Sequence, residues 1–206
     1  MSRNAIELIA RGVCIRADHL LICRNRRLGH TFLPGGHVEF AETAADALSR
    51  EMGEETGIPF RIGRFAGGCE AIFEQQHHKG PRQHHEVNLI FEMQPAPASS
   101  SPAASVAGGG PENNQRTAPS GRQEAGPSPS PPMEVPSREE KIAFEWLAIA
   151  SLRCDDDTPP RPAPLLPRGI VPLVLAIAES VERAASSPLP VLWATDPPGP
   201  DLRNVR

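Results

Sequence analysis

Strand-like runs set around two amphipathic helical stretches predict an α/β domain. Val87-Asn88-Leu89-Ile90-Phe91-Glu92-Met93 alternates with a period of two and is expected to place Val87, Leu89, Phe91 and Met93 on one face. Thr43 to Thr56 instead carries apolar residues at helical spacing, and a second such run extends from about Ile170 to Ala184. Between Gln94 and Ser137 the composition turns to Pro, Ala, Ser, Gly, Gln and Asn with few large apolar residues. That segment is predicted to be disordered, because it buries too little surface to offset its ordering entropy.

Residues 5 to 15 mix alternation with β-branched side chains and read as a strand, and Leu20 to Cys23 read as its return after a turn at Ala17-Asp18-His19. Pro34, Gly35 and Gly36 then lead into the first helix, which Glu42 or Thr43 can start and Gly57 can end in the left-handed conformation. On that helix Ala41, Ala45, Leu48 and Met52 form the expected core stripe. Gly53 should cost the helix about 1 kcal/mol relative to Ala. One or two strands are expected between Arg61 and Gln75, and a hairpin loop between His77 and His85. Lys141 to Leu147 reads as a strand with Ile142, Phe144 and Trp146 on one side. Ile170, Leu173, Val174, Ile177 and Val181 give the last helix its apolar stripe, and Pro190 to Ala194 reads as a short extended piece. The expected organisation is therefore one domain over 1–185, interrupted by the insertion at 94–137, and a mostly irregular tail over 186–206.

Composition excludes several classes. A net charge of -4 and a pI near 6.0 provide no electrostatic footprint for a nucleic-acid backbone. Cys14, Cys23, Cys69 and Cys154 are widely spaced, which argues against a zinc site and a disulfide framework and fits a reducing cytoplasm. Cys14 and Cys23 are expected in the core. The Gly169–Ala178 run is too short to span a bilayer and contains Pro172, so a soluble protein without membrane association is expected.

The charge is distributed unevenly. Glu51, Glu54 and Glu55 stand at i, i+3 and i+4 and so share a helix face. Each close like-charge pair costs about 0.2–0.5 kcal/mol on an isolated helix, and Arg50 is expected to point to a different sector. A solvated acidic face is the ordinary reading of such a cluster. A divalent cation is the other: hard oxygen ligands suit Mg²⁺ or Mn²⁺, and Mg²⁺ commonly completes its shell with water and substrate phosphates.

The surrounding pattern favours the cation. Gly36, five residues, Glu42, seven residues, then Arg50-Glu51-Met52-Gly53-Glu54-Glu55-Thr56-Gly57-Ile58 resembles a complete Nudix box, matched at all nine fixed positions across 23 residues. With its flanking strands the resemblance covers roughly residues 4–93 and 138–184. It implies an α/β/α sandwich with a mixed sheet, and Mg²⁺- or Mn²⁺-dependent hydrolysis of a nucleoside diphosphate linked to a group X. It further implies that Glu54 and Glu55 are the principal metal ligands with the Gly36 carbonyl, and that Glu51 binds metal or acts as the base toward water. Glu42, Arg50 and Gly57 are then structural parts of the box. The approach Leu33-Pro34-Gly35-Gly36-His37-Val38-Glu39 resembles the branch acting on ADP-ribose and on oxidised or ordinary (deoxy)nucleoside triphosphates. A homodimer is common in the family. The alternative is a nucleotide-sensing module of the same fold that regulates a partner without catalysis.

Outside the box, the family often recruits one more carboxylate; Glu140 and Glu139 lead, followed by Glu86 and Glu70. Arg24, Arg26 and Arg82 are candidates to grip phosphate or ribose, and Phe32 and Phe73 to stack on a base. For Phe32, Phe40, Phe73 and Trp146, core packing is the ordinary reading. His77, His78, His84 and His85 are read as hairpin residues, with a substrate contact left open for His85 or Glu86.

Overall fold

The structure is a computed structural model that describes residues 5–77, 80–96, 133–153, 165–182 and 192–196. Its strands are β1 (Ile6–Val13), β2 (Ile15–Arg16), β3 (His19–Asn25), β4 (Thr31–Phe32), β5 (Gly35–His37), β6 (Phe60–His77), β7 (Gly80–Pro95), β8 (Ile142–Ala148), β9 (Leu165–Leu166) and β10 (Leu192–Asp196). Helix α1 spans Ala44–Thr56 and α2 spans Val171–Glu182, the latter preceded by a 3₁₀ turn at Arg168–Ile170. Where one mixed sheet was expected there are two, ordered β10-β6-β7-β1-β5 and β2-β3-β4-β9, with β8 paired to β3. Both are mixed. In the first, β1 runs parallel to β7 and antiparallel to β5; in the second, β4 runs antiparallel to β3 and parallel to β9.

The α/β/α layering follows from alternation along β1 and β3. Val13, Leu20 and Ile22 face one core with Ile90 and the α2 residues Leu173, Val174 and Ile177. Ala10, Cys14 and Leu21 face the other with Ala47, Leu48 and Met52 of α1, and with Phe60 and Met93. Strand β3 is thus buried on both faces, which is why Leu20 to Cys23 is continuously apolar. Burying Leu48 and Met52 contributes about 1.5–3 kcal/mol each, which outweighs the about 1 kcal/mol that Gly53 costs. Packing, not propensity, decides this helix. Cys14, Cys23 and Cys69 are buried, and desolvation raises the Cys14 thiol to about 12.

Several expectations change. The buried stripe of α1 is Ala47, Leu48, Met52 and Thr56; Ala45 is half-buried, and Ala41 is exposed ahead of the helix at φ 69°. On β7 it is Asn88, Ile90 and Met93 that are buried, because register shifts against β6 between Ile62 and Gly67 interrupt strict alternation. The expected loop at 77–85 is mostly strand, with Phe73 opposite His84 and His77 opposite Gly80. Gln94 and Pro95 pair with Arg61 and Phe60, and Val135 is buried against α1, so structure reaches into both ends of the 94–137 segment. Its interior, 97–132, lies outside the described residues, as do Cys154 and His78. The expected extended piece near the C-terminus is β10, parallel to β6. Among the described residues no helix is long and apolar enough to cross a membrane.

Candidate active site

Strand β5 and helix α1 meet through their glycines. Gly35 pairs with Arg11 at φ 128°, with the Ala10 carbonyl oxygen where a Cβ would sit. Next to it, the space where a Cβ of Gly36 would lie is filled by the Glu51 carboxylate. A side chain at Gly35 would collide with the β1 backbone, and one at Gly36 would displace the Glu51 carboxylate. Thr43 caps α1 by accepting from the Asp46 amide at 3.1 Å and donating its hydroxyl to the Asp46 carboxylate at 2.7 Å. Gly57 ends the helix at φ 73°, its N–H donating to the Gly53 carbonyl at 2.9 Å.

Arg50 does not point away from the acidic edge. Its Nη2 donates to Glu42 at 2.8 Å and to the His37 carbonyl at 3.0 Å, and its Nη1 donates to Glu51 at 2.9 Å and Glu54 at 3.4 Å. The i,i+4 relation to Glu54 and the flexible reach of the guanidinium bring it across the sector that the helical wheel separates. Arg50 therefore relieves the repulsion at Glu51 and Glu54 and ties the helix to β5 through His37. Hydrogen bonds from Arg50 and from the Glu39 amide hold the Glu42 carboxyl below the usual carboxylate range.

Glu55 has no such relief. Its Oε2 is buried and has no hydrogen-bond partner among the described residues. Burial first, then the like charges of Glu139, Glu51 and Glu54, push its carboxyl up to about 8, with Arg11 pulling the other way. The three box glutamates are thus one electrostatic cluster with graded exposure: the Glu51 side chain is 19% exposed and that of Glu54 is 63%.

Arg11 is the functional-site residue that sequence reasoning missed. From the middle of β1 its Nη1 donates to the carbonyls of Leu33 at 3.1 Å and Gly35 at 3.2 Å, and its Nε donates to Asn88 at 3.2 Å. Its guanidinium carbon lies 5.4 Å from the Phe32 ring centroid. Asn88, fully buried, also donates to the Cys69 carbonyl. The signal was present as a charged residue within the strand run Leu8 to Val13, since a half-buried Arg requires partners.

The remaining candidates separate. Glu139 is a like-charge neighbour of Glu55, whereas Glu140, the residue favoured from sequence, is not among the groups acting on Glu55; both are exposed. Arg24 is committed to a bidentate pair with Glu145, and Arg26 donates to the Ile142 carbonyl at 3.0 Å. Phe73 stacks on His84 with ring centroids 5.1 Å apart. Arg82 and His84 both approach the Glu7 carboxylate. His85 pairs with Glu70 at 2.7 Å, and Glu86 accepts from Asn88. Register puts Arg11, Glu7, His37, Asn88, Glu86, His84 and Phe73 on one face of the first sheet. Phe40 is fully exposed.

The donor set fits a hard divalent cation. It consists of carboxylate oxygens, one of them buried and without a partner among the described residues, with the Glu51 carboxylate lying against the bare backbone of Gly36. Among the described residues no three His, Cys, Asp or Glu side chains already converge as a coordination sphere; Arg50 holds Glu51 and Glu54 at that edge.

A family model described as NUDIX domain matches residues 7–113. No curated protein matches the chain. Among solved structures the chain is similar to the E. coli ORF135 protein, at 16% identity and a TM-score of 0.47, covering 91% of this chain and 99% of that one. It is similar to a MutT protein from Methanosarcina mazei Go1 at 17% identity and a TM-score of 0.46, covering 91% of this chain and all of that one. An ADP-ribose pyrophosphatase from Streptococcus suis gives 17% identity, a TM-score of 0.42, and coverage of 92% and 99%. These likenesses are low, and the domain match carries the family assignment.

Proposed function

Because the chain belongs to the NUDIX domain family, matched over residues 7–113, we propose that it is a Mg²⁺- or Mn²⁺-dependent hydrolase that cleaves the diphosphate linkage of a nucleotide, with ADP-ribose and (deoxy)nucleoside triphosphates as the substrate classes. The observation that carries this reading is the Glu55 carboxylate oxygen, buried with no partner among the described residues and beside the like charges of Glu139, Glu51 and Glu54. Such a group is costly as a carboxylate unless a proton or a cation compensates it.

Glu54, Glu55 and the Gly36 carbonyl would hold the cation, with Glu51 and Glu139 beside them. When bound, the cation supplies charge neutralisation at the phosphate oxygens and a more acidic water. Glu51, kept against the Gly36 backbone by Arg50, is positioned to take the proton of the attacking water. Glu42 and Arg50 keep strand and helix in register, so these groups require little reorganisation. Arg11 orients the Leu33 and Gly35 carbonyls that flank the Gly36 approach. Phe73 and Arg82 lie on β6 and β7, where a base and a phosphate or ribose would find a ring face and a charge.

A hydrolysis panel with product identification tests this. ADP-ribose should yield AMP and ribose 5-phosphate, and a triphosphate should yield a monophosphate and pyrophosphate, each only with added divalent metal. Saturable nucleotide binding without turnover across the panel would favour a sensing module instead.

A further inference from the structure

The residues just before β8 are attached at several points within a short span. The Met133 carbonyl accepts from the Trp146 indole N–H at 2.7 Å. Two residues on, Val135 is buried in the core that holds Leu48 and Met52 of α1. Arg138 donates its backbone N–H to the Glu55 carbonyl at 2.7 Å, and its guanidinium occupies the space where a Cβ of Gly57 would sit. Ser137 donates its hydroxyl to the Glu139 carbonyl at 2.9 Å.

These attachments have a physical logic. The Glu55 carbonyl belongs to the last turn of α1, where carbonyls lack intrahelical partners, and the Arg138 amide satisfies it. Glu139, the next residue, is thereby carried to the end of α1 where Glu55 stands. Left on an untethered loop, a carboxylate would swing away from Glu55, Glu51 and Glu54, because like charges repel and loop entropy favours escape. The tether opposes both. Glycine at position 57 serves twice: it provides the left-handed cap, and it leaves room for the guanidinium to lie on the helix end.

We infer that residues 133–138 form a positioning strap in which Val135 and Arg138, seated on α1, hold the Glu139 carboxylate beside Glu55. The inference rests on the cation-binding reading proposed above. Val135 and Arg138 act through Glu139 and touch no reacting atom, so they are positioning residues.

A double-mutant design tests it. Val135→Ala, Arg138→Ala and Glu139→Gln are made singly and in pairs, with Val135→Ile as the conservative control and circular dichroism to establish folding. Two readouts are taken: Mg²⁺-dependent kcat and KM on the hydrolysed nucleotide, and the rise in melting temperature on adding Mn²⁺ alone. Loss of support around a metal site typically costs about 10–100-fold in affinity or activity. Val135→Ala and Arg138→Ala should each lower kcat by about tenfold with KM unchanged, and each should shrink the Mn²⁺-induced shift. Val135→Ile should restore both. In the Glu139→Gln background neither replacement should cost anything further.

Losses that multiply in the Glu139→Gln background would overturn the inference, because the strap would then act on the fold alone. A Glu139→Gln protein with the wild-type Mn²⁺ shift and kcat would overturn it while leaving the hydrolase reading intact. If the wild type hydrolyses nothing yet the Mn²⁺ shifts follow the non-additive pattern, the strap stands and the hydrolase reading fails.

Discussion

Replacing Glu55 by glutamine should remove most of the pH dependence of stability of the metal-free protein between pH 5 and 8.5. The folded chain raises this carboxyl from 4.5 to about 8, chiefly through burial and then through the charges of Glu139 and Glu51. Between those values the folded state binds more protons than the unfolded state, so stability falls as pH rises through the window and the loss is complete above pH 8. Fully expressed, the shift corresponds to about 5 kcal/mol at about 1.4 kcal/mol per pH unit. Water reaches part of the side chain, so about 2 kcal/mol is the working expectation. Glutamine keeps the shape without the titration. Urea unfolding in chelator at pH 5 and pH 8.5 measures the difference, with stability read by linear extrapolation. Mg²⁺ should stabilise the wild type more at pH 8.5 than at pH 5, because protons compete for its ligand; the Gln variant should lack that dependence. Equal pH slopes in wild type and variant would refute the argument.

Three further expectations follow from particular contacts. Gly53→Ala should stabilise the protein by up to about 1 kcal/mol without altering turnover, since nothing lies within 4 Å of the added methyl; thermal unfolding checks it. Gly36→Ala should abolish turnover while the far-UV spectrum survives, because the methyl enters the space of the Glu51 carboxylate. Arg11→Met should cost about 2 kcal/mol and raise the Mg²⁺ needed for half-maximal activity, because Asn88 and the Leu33 and Gly35 carbonyls lose their donor. An unchanged urea midpoint would contradict this last expectation.

The parts of the molecule written in local pattern were legible from sequence. The period of 3.6 and the Gly57 stop placed α1 within a residue of its bounds, and fixed spacing identified the box. Strands β1 and β8 followed from alternation. What was not legible depends on chain brought from far away. Asn88 is polar in a buried row because Arg11 reaches it from 77 residues earlier in sequence. The approach of the chain before β8 to the end of α1 is made by a hydrogen bond from the Arg138 amide to the Glu55 carbonyl, next to a segment whose composition suggested disorder. Arg50 was misjudged because a wheel projects Cα directions, while a guanidinium on a long side chain spans neighbouring sectors. The two sheets likewise arise from pairings, such as β4 with β9, that no local alternation announces.

The most direct test of the central claim is turnover by Glu54→Gln and Glu55→Gln proteins on whichever nucleotide the wild type hydrolyses, at saturating Mg²⁺ and with circular dichroism on each. Both proteins should be folded, with kcat lower by at least about a hundredfold, in line with wild type stripped of metal. Variants that turn over at the wild-type rate, or a wild type indifferent to chelator, would contradict it.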